Sequence, residues 1–319
     1  MDQRKAGDIS AEPVSPTGSR VKALTRNEMG RLLCGVGIEI GALHNPVRLD
    51  PARARAYYVD RLTPRELAEH YPEMVERGLV RPEVVSDGGT ELAFRPNSLD
   101  FIIASHLLEH IADPIGALLA WYRTLRPGGK LLLLAPDPAT CSDRLRPVTS
   151  LEHLIADHET PSEERDFGHF CEWAQCWNER QGKEEIEVRA RELLARKYAI
   201  HFHVWSAENL RALFQQLRNK HHCDWEDLLF PAAATLEGFV GLWQKPRDFS
   251  WRMLFRPTEQ QQLERRLQRA RPKRLIACPK CKRGLKQTEE RLICRACRRW
   301  YPRSEGIPVL LASEAQPLS

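Results

Sequence analysis

Two C-x2-C pairs, Cys278-Pro-Lys-Cys281 and Cys294-Arg-Ala-Cys297, stand near the end of this chain with twelve residues between them. No other feature constrains the fold as tightly. Tetrahedral zinc takes four thiolates, and each pair delivers two from one tight turn. Four cysteines fill the coordination shell, so the expected ion is structural rather than catalytic. A unit of about forty residues buries too little core to fold without such a staple. Residues 273–314 are therefore expected to form a zinc ribbon held by Cys278, Cys281, Cys294 and Cys297. The other five cysteines (Cys34, Cys141, Cys171, Cys176 and Cys223) are scattered. An odd total without a secretory leader points away from disulfides and towards a reducing, cytoplasmic setting.

The ribbon is also where the positive charge lies. Residues 265–303 carry fifteen Lys/Arg against two acids, a balance of +13. The whole chain is +5, which leaves −8 on the remainder. Such a module suits a nucleic-acid backbone, and it equally suits docking on its own acidic neighbour. No apolar run approaches the ~20 residues of a membrane helix. Residues 1–30 are polar, lack an apolar leader core, and are expected to be a tail without fixed structure.

From residue 31 to 250 short apolar runs alternate with helical patterns, the signature of a doubly wound α/β sheet. Gly37–Gly41 reads as a buried strand entering a Gly turn, Ala56–Asp60 as a second strand ending in an acid, and Asp100–Ser105 as a third. A helix is expected from Pro114 to Leu125, a turn at Arg126–Lys130, and a strand at Leu131–Ala135. Ser206 is a good N-cap for a helix through Leu217, and residues 223–230 and 237–244 read as closing strands. Residues 137–200 break this rhythm with a His-, Asp-, Glu- and Trp-rich insertion after a strand end, the edge where such sheets bind ligands. Residues 251–272 read as a polar linker helix.

The strand ends carry acids in a particular order. Glu39 and Gly41 end the first strand, Asp60 ends the second, and Asp87-Gly88 occupies the next turn. The segments Ser105-His106-Leu-Leu-Glu109-His110 and Leu125-Arg-Pro-Gly-Gly-Lys130 follow. This constellation resembles the class I S-adenosylmethionine-dependent methyltransferases, in the branch with an L-E-H segment and an R-P-G-G turn. The resemblance spans about residues 35–136. It implies a Rossmann-like seven-stranded sheet with its last strand antiparallel. It also implies cofactor contacts by Glu39 and Gly41, by Asp60 on the ribose, by Asp87 and Gly88 at adenine, and by Ser105 and His106 near the methionine moiety. One departure stands out. The family's G-x-G-x-G is replaced by Gly41-Ala-Leu-His44-Asn45-Pro46, and only residues 42–55 separate Gly41 from the second strand. That is short for a crossover helix, so a loop bearing His44 and Asn45 is expected to hold the methionine end.

Acceptor-side candidates lie in and just after the insertion: His153, Asp157, His169 and His203, with His158, Asp166 and His201 nearby. His153 and Asp157, four apart, share a helix face. Residues 201–205 alternate as a strand does, so His201 and His203 are expected to share one strand face. Three roles fit these residues: deprotonating an acceptor, binding a second metal, or fixing a lid by hydrogen bonds. No compact ligand spacing marks the second. The segment Arg144–His153 resembles one in methyltransferases of bacterial glycan synthesis. The Asn/Asp-Pro-Pro-Tyr/Phe motif of many base- and amide-methylating enzymes is missing. The expected reaction is therefore O-methylation of a sugar or other small polar acceptor. The ribbon, with Trp300-Tyr-Pro302 and Gly306-Ile-Pro-Val-Leu310, resembles the small zinc-ribbon activator of methyltransferases that act on tRNA, rRNA and release factors. This implies an RNA or translation-protein acceptor as the alternative, and degeneration into a scaffold is a third reading. It also implies docking in cis, with Ile307–Leu311 adding to the edge of the catalytic sheet.

Overall fold

Strands covered on both faces read as unbroken apolar runs, and the runs of this chain become such strands. A computed structural model of the protein describes residues 24–177, 182–196, 198–229, 238–247 and 259–318. α1 (Arg26–Gly30) precedes β1 (Gly35–Ile40) and β2 (Ala54–Asp60). α2 (Pro64–His70) and α3 (Pro72–Val75) lead to β3 (Val84–Ser86) and β4 (Leu99–Ser105). α4 (Pro114–Thr124) and β5 (Leu125–Ala135) follow, then α5 (Leu151–Glu159), α6 (Glu163–Trp177), α7 (Lys183–Ala195) and α8 (Ala207–His221). β6 (Glu226–Leu229) and β7 (Phe239–Gln244) close the large unit. α9 (Glu259–Arg269) and α10 (Pro272–Leu275) carry the chain to β8 (Lys286–Gln287), β9 (Arg291–Cys294), β10 (Arg299–Ser304), β11 (Ile307–Leu310) and β12 (Gln316–Pro317).

The first seven strands lie in the order β6-β7-β5-β4-β1-β2-β3. β1 to β5 pair in parallel, and β7 runs antiparallel to β5. This is the doubly wound α/β sheet that the sequence pattern implies. The Arg126–Lys130 turn lies inside β5 as a bulge, across which the pairing jumps from Leu99–Leu125 to Phe101–Lys130. α8 runs four residues past Leu217 to His221 because the expected N-cap, Ser206, is joined by a C-cap residue, His222, in the left-handed conformation. The first part of the expected tail, residues 1–23, and residues 230–237 and 248–258 lie outside the described residues.

No helix occupies residues 42–53, as their number dictates. The face that a crossover helix would cover is covered from elsewhere. Met29 and Leu33 pack with Val47 on Phe101, Ile103, Leu132 and Leu134. This corrects the expectation of a structureless tail to residue 30, since α1 is folded and buries Arg26 and Met29. A capping box holds it: the Glu28 amide donates to Thr25 Oγ1, and the Thr25 amide donates to the Glu28 carboxylate.

The ribbon does not hang from the linker. β11 pairs in parallel with β3 (Val309 with Val85, Leu310 with Ser86), which extends the catalytic sheet into the ribbon. A second seam runs alongside, where the Ala277 amide donates to the Ala93 carbonyl and the Arg95 amide to that of Leu275. Ile276, Leu285, Leu292, Tyr301 and Leu310 join one apolar core with Ile38, Tyr57, Leu92 and Phe94. The linker helix is anchored too. Asp100, buried at the start of β4, accepts the Val36 amide and pairs with Arg126 and with Arg266 of α9. A shared core makes the two units one cooperative structure. Stripping the ribbon zinc with a chelator, or Cys294→Ser, is expected to lower the melting temperature of the whole chain in a single transition. Calorimetry that finds an unchanged main transition would refute this.

Candidate functional site

The C-terminal ends of β1, β2, β3 and β4 meet at one edge of the sheet. Gly41 turns the chain out of β1 at φ +67°, a conformation L side chains rarely adopt. A Cβ there would meet only Leu107 at 3.8 Å, so the glycine answers to its backbone and the space beside it is open. Gly88 is held by space instead, because a Cβ would strike Ile40 at 2.5 Å. Leu43 and His106 also sit at positive φ on this edge, the kind of local strain that gathers at functional sites.

Glu39 is buried, and its carboxylate accepts the Val47 amide at 2.9 and 3.2 Å. Burial pushes its pKa up to about 7, against the Val47 bond and the Arg26 charge. In this structure Glu39 anchors the 42–50 loop. His44, on that loop, has a buried Nδ1 without a partner among the described residues. Asn45 beside it is exposed. Asp60 accepts the Leu62 amide at 3.0 Å, and burial raises its pKa. Asp87 accepts the Gly89 amide, and the Gly88 carbonyl takes the indole N–H of Trp121. Ser105 Oγ accepts from Arg26, a guanidinium also close enough to Glu39 to act on its charge. His106 is half-exposed, with Nδ1 3.5 Å from Oε1 of the buried Glu109. The other Glu109 oxygen has no partner among the described residues.

Arg26 and Glu109 are the residues that sequence reasoning missed here. The Thr25-x-x-Glu28 capping box was the available signal for α1. Glu109 stood in the recognised L-E-H segment without a role.

The acceptor-side candidates converge. Ser150 caps α5, whose i,i+4 spacing sets His153 Nε2 3.2 Å from Asp157 Oδ2. His169 from α6 and His203 from the segment after α7 bring Nε2 atoms to 3.4 and 3.0 Å of the same oxygen. Asp157 Oδ1 faces away and accepts from Arg165 Nε and Nη2. Burial alone would raise the pKa of Asp157, but hydrogen bonds to His169, His203 and Arg165 outweigh it and hold the carboxyl far below its ordinary range. Burial drives His203 down to about 4, so its ring is neutral at physiological pH.

Residues 201–205 are not a strand, which corrects the expected pairing of His201 with His203. His201 Nδ1 lies 2.6 Å from Asp143, in a separate cluster with Arg146. Arg146 also donates to the carbonyls of His201 and Phe202. The 144–153 segment thus fastens the lid backbone. His158 and His110 are engaged with Asp113 and the Ile200 carbonyl.

In the ribbon, Cys278 and Cys297 Sγ are 3.9 Å apart, and Cys281 and Cys294 Sγ 3.5 Å. Zn–S bonds of about 2.3 Å at tetrahedral angles put thiolates about 3.8 Å apart. The cysteines fit a structural zinc ion.

A Rossmann-like sheet with acids at three successive strand ends, extended by a four-cysteine ribbon, defines a methyltransferase carrying a metal-stapled edge domain. The chain belongs to the methyltransferase-domain family, whose model matches residues 34–217, and the Trm112p-like protein model matches residues 274–306. It is an S-adenosylmethionine-dependent methyltransferase with a Trm112-like zinc ribbon. The UPF0434 protein of Shewanella halifaxensis (strain HAW-EB4) is 50% identical over 46 residues, covering 14% of this chain and 81% of that protein. A CurJ carbon methyltransferase structure aligns at TM-score 0.34 and 13% identity, covering 67% of this chain and 49% of that one. A complex of the Haloferax volcanii Trm112 methyltransferase activator with a methyltransferase aligns at TM-score 0.33 and 13% identity, covering 67% and 84% of the two chains. Among the described residues no helix is long and apolar enough to cross a membrane.

The Glu39 carboxyl makes a pH prediction. Folded, it keeps until about pH 7 a proton that the unfolded chain releases near 4.5. Stability therefore falls by on the order of 3 kcal/mol as pH rises through that window, and levels off above it. Glu39→Gln is expected to flatten this decline in denaturant titrations, and an unchanged slope between the two pH values would contradict it.

Proposed function

We propose that this enzyme methylates a hydroxyl of a sugar, glycan or other small polar acceptor. The observation that carries the reading is His106, half-exposed at the end of β4 with the buried Glu109 carboxylate behind it. A hydroxyl must lose its proton as it attacks, and a histidine oriented by a carboxylate suits that task. The bound cofactor supplies a methyl already activated as a sulfonium. The protein's share of the work is position and proton removal.

The cofactor-binding assignments follow from the edge. Asp60 accepts the ribose hydroxyls, and Asp87 and Gly88 receive adenine. Gly41, His44 and Asn45 line the methionine end. Arg26 supplies a cation for the methionine carboxylate, and Glu39 keeps their loop in place. The orphaned His44 nitrogen and the open space at Gly41 support this fit. Ser105 and His106 face the transferring methyl. His153, Asp157, His169 and His203 form one unit on the acceptor side. Its buried members, His169 and His203, shape the site, and His153 is the one turned to solvent.

A second reading, an RNA or translation-protein acceptor, is favoured by the ribbon's charge. Docking uses apolar and backbone contacts and one ion pair, Arg81 with Glu305. Among the described residues the exposed Lys280, Arg283, Lys286, Arg291, Arg295 and Arg298 are not paired with carboxylates of the body. That leaves them available to phosphates.

Asp60→Ala is expected to abolish S-adenosylhomocysteine binding in calorimetry while the fold survives; wild-type affinity in the variant would sink the site. His106→Ala is expected to lower kcat by about 10²–10⁴-fold with cofactor affinity kept. An acceptor screen of glycans against RNA separates the readings: methyl transfer to RNA alone would replace the first with the second.

A further inference from the structure

We propose that His153, Asp157, His169 and His203 form a second metal site, which takes a zinc-class divalent ion and clamps the insertion to the catalytic sheet. One ring nitrogen of each histidine and one carboxylate oxygen of Asp157 all lie within 4.8 Å of one another. Nε2 of His203, His153 and His169 lie 3.0, 3.2 and 3.4 Å from Asp157 Oδ2, and Nε2 of His153 and His169 are 3.5 Å apart. Bonds of about 2.0–2.1 Å at tetrahedral angles place such ligands about 3.3–3.4 Å apart. The same test on the ribbon cysteines returns the spacing of a zinc–thiolate site.

Hydrogen bonding alone accounts poorly for this arrangement. One carboxylate oxygen offers about two lone pairs, yet Asp157 Oδ2 faces three ring nitrogens. A cation at their centre takes one lone pair from each of the four groups, while the buried Nδ1 atoms of His169 and His203 keep no partner among the described residues. Arg165 on Asp157 Oδ1 is the outer contact that fixes a metal-ligating carboxylate. Three imidazoles and one carboxylate suit zinc and neighbouring d-block ions rather than magnesium or calcium.

The four ligands come from α5, α6 and the 201–205 segment, which no sequence spacing links. That last segment donates the Phe202 and His203 amides to the carbonyl of Glu109, the residue whose carboxylate lies 3.5 Å from His106 Nδ1. Four protein ligands leave no open position, so the ion holds the lid rather than activating a group.

The experiment is elemental analysis of the full chain after dialysis against zinc and then metal-free buffer. Wild type is expected to hold two ions. His169→Ala should hold one, as should His153→Ala, whose part-exposed side chain keeps misfolding from deciding the result. Cys294→Ser should lose only the ribbon ion. Arg165→Gln should weaken the second ion by about 10–100-fold. Cobalt loading adds a spectroscopic check: one site with thiolate charge transfer and one without, the latter abolished by His169→Ala. A wild type that holds one ion, unaffected by His169→Ala or His153→Ala, overturns the proposal.

Discussion

The parallel pairing of β11 with β3 is the contact on which the molecule turns. β3 is three residues long and would otherwise be the open edge of the catalytic sheet. A short edge strand with unpaired backbone is a weak support for the turn that follows it, and Asp87 follows β3 directly. β11 occupies that edge, and the ribbon's Ile276, Tyr301 and Leu310 enter the core beneath it. The zinc thus stabilises more than its own forty residues. It holds the strand from which the Asp87-Gly88 turn leaves the sheet.

The loop after β1 depends on a different economy. With no helix between β1 and β2, the loop after Gly41 needs an anchor and the sheet face needs a cover. Buried Glu39 supplies the first through the Val47 amide. α1 supplies the second through Met29, and the same helix brings Arg26 to Ser105. One short element therefore stands in for the packing that a crossover helix usually provides, and sets a guanidinium at the end of β4.

Much of this was legible in the sequence, because local patterns dictated it. The unbroken apolar runs marked the central strands, the count of residues 42–55 excluded a helix, and the C-x2-C pairs fixed the ribbon. Even the Ile307–Leu311 docking strand was readable as an apolar segment in need of a partner. What escaped was tertiary. Arg26 was hidden in a polar stretch whose only folding signal is a capping box. The His/Asp quartet is spread over fifty residues, so its convergence is invisible to spacing rules. His201 and His203 alternate as strand residues do, but Arg146 and Glu109 capture their backbone first and send the two rings to different clusters.

The strand ends of the ribbon-completed sheet are where we propose that S-adenosylmethionine binds. Calorimetric titration of the intact, zinc-loaded chain with S-adenosylhomocysteine tests it most directly. One site per chain with micromolar affinity is the predicted result. An absence of binding heat at millimolar ligand would contradict it.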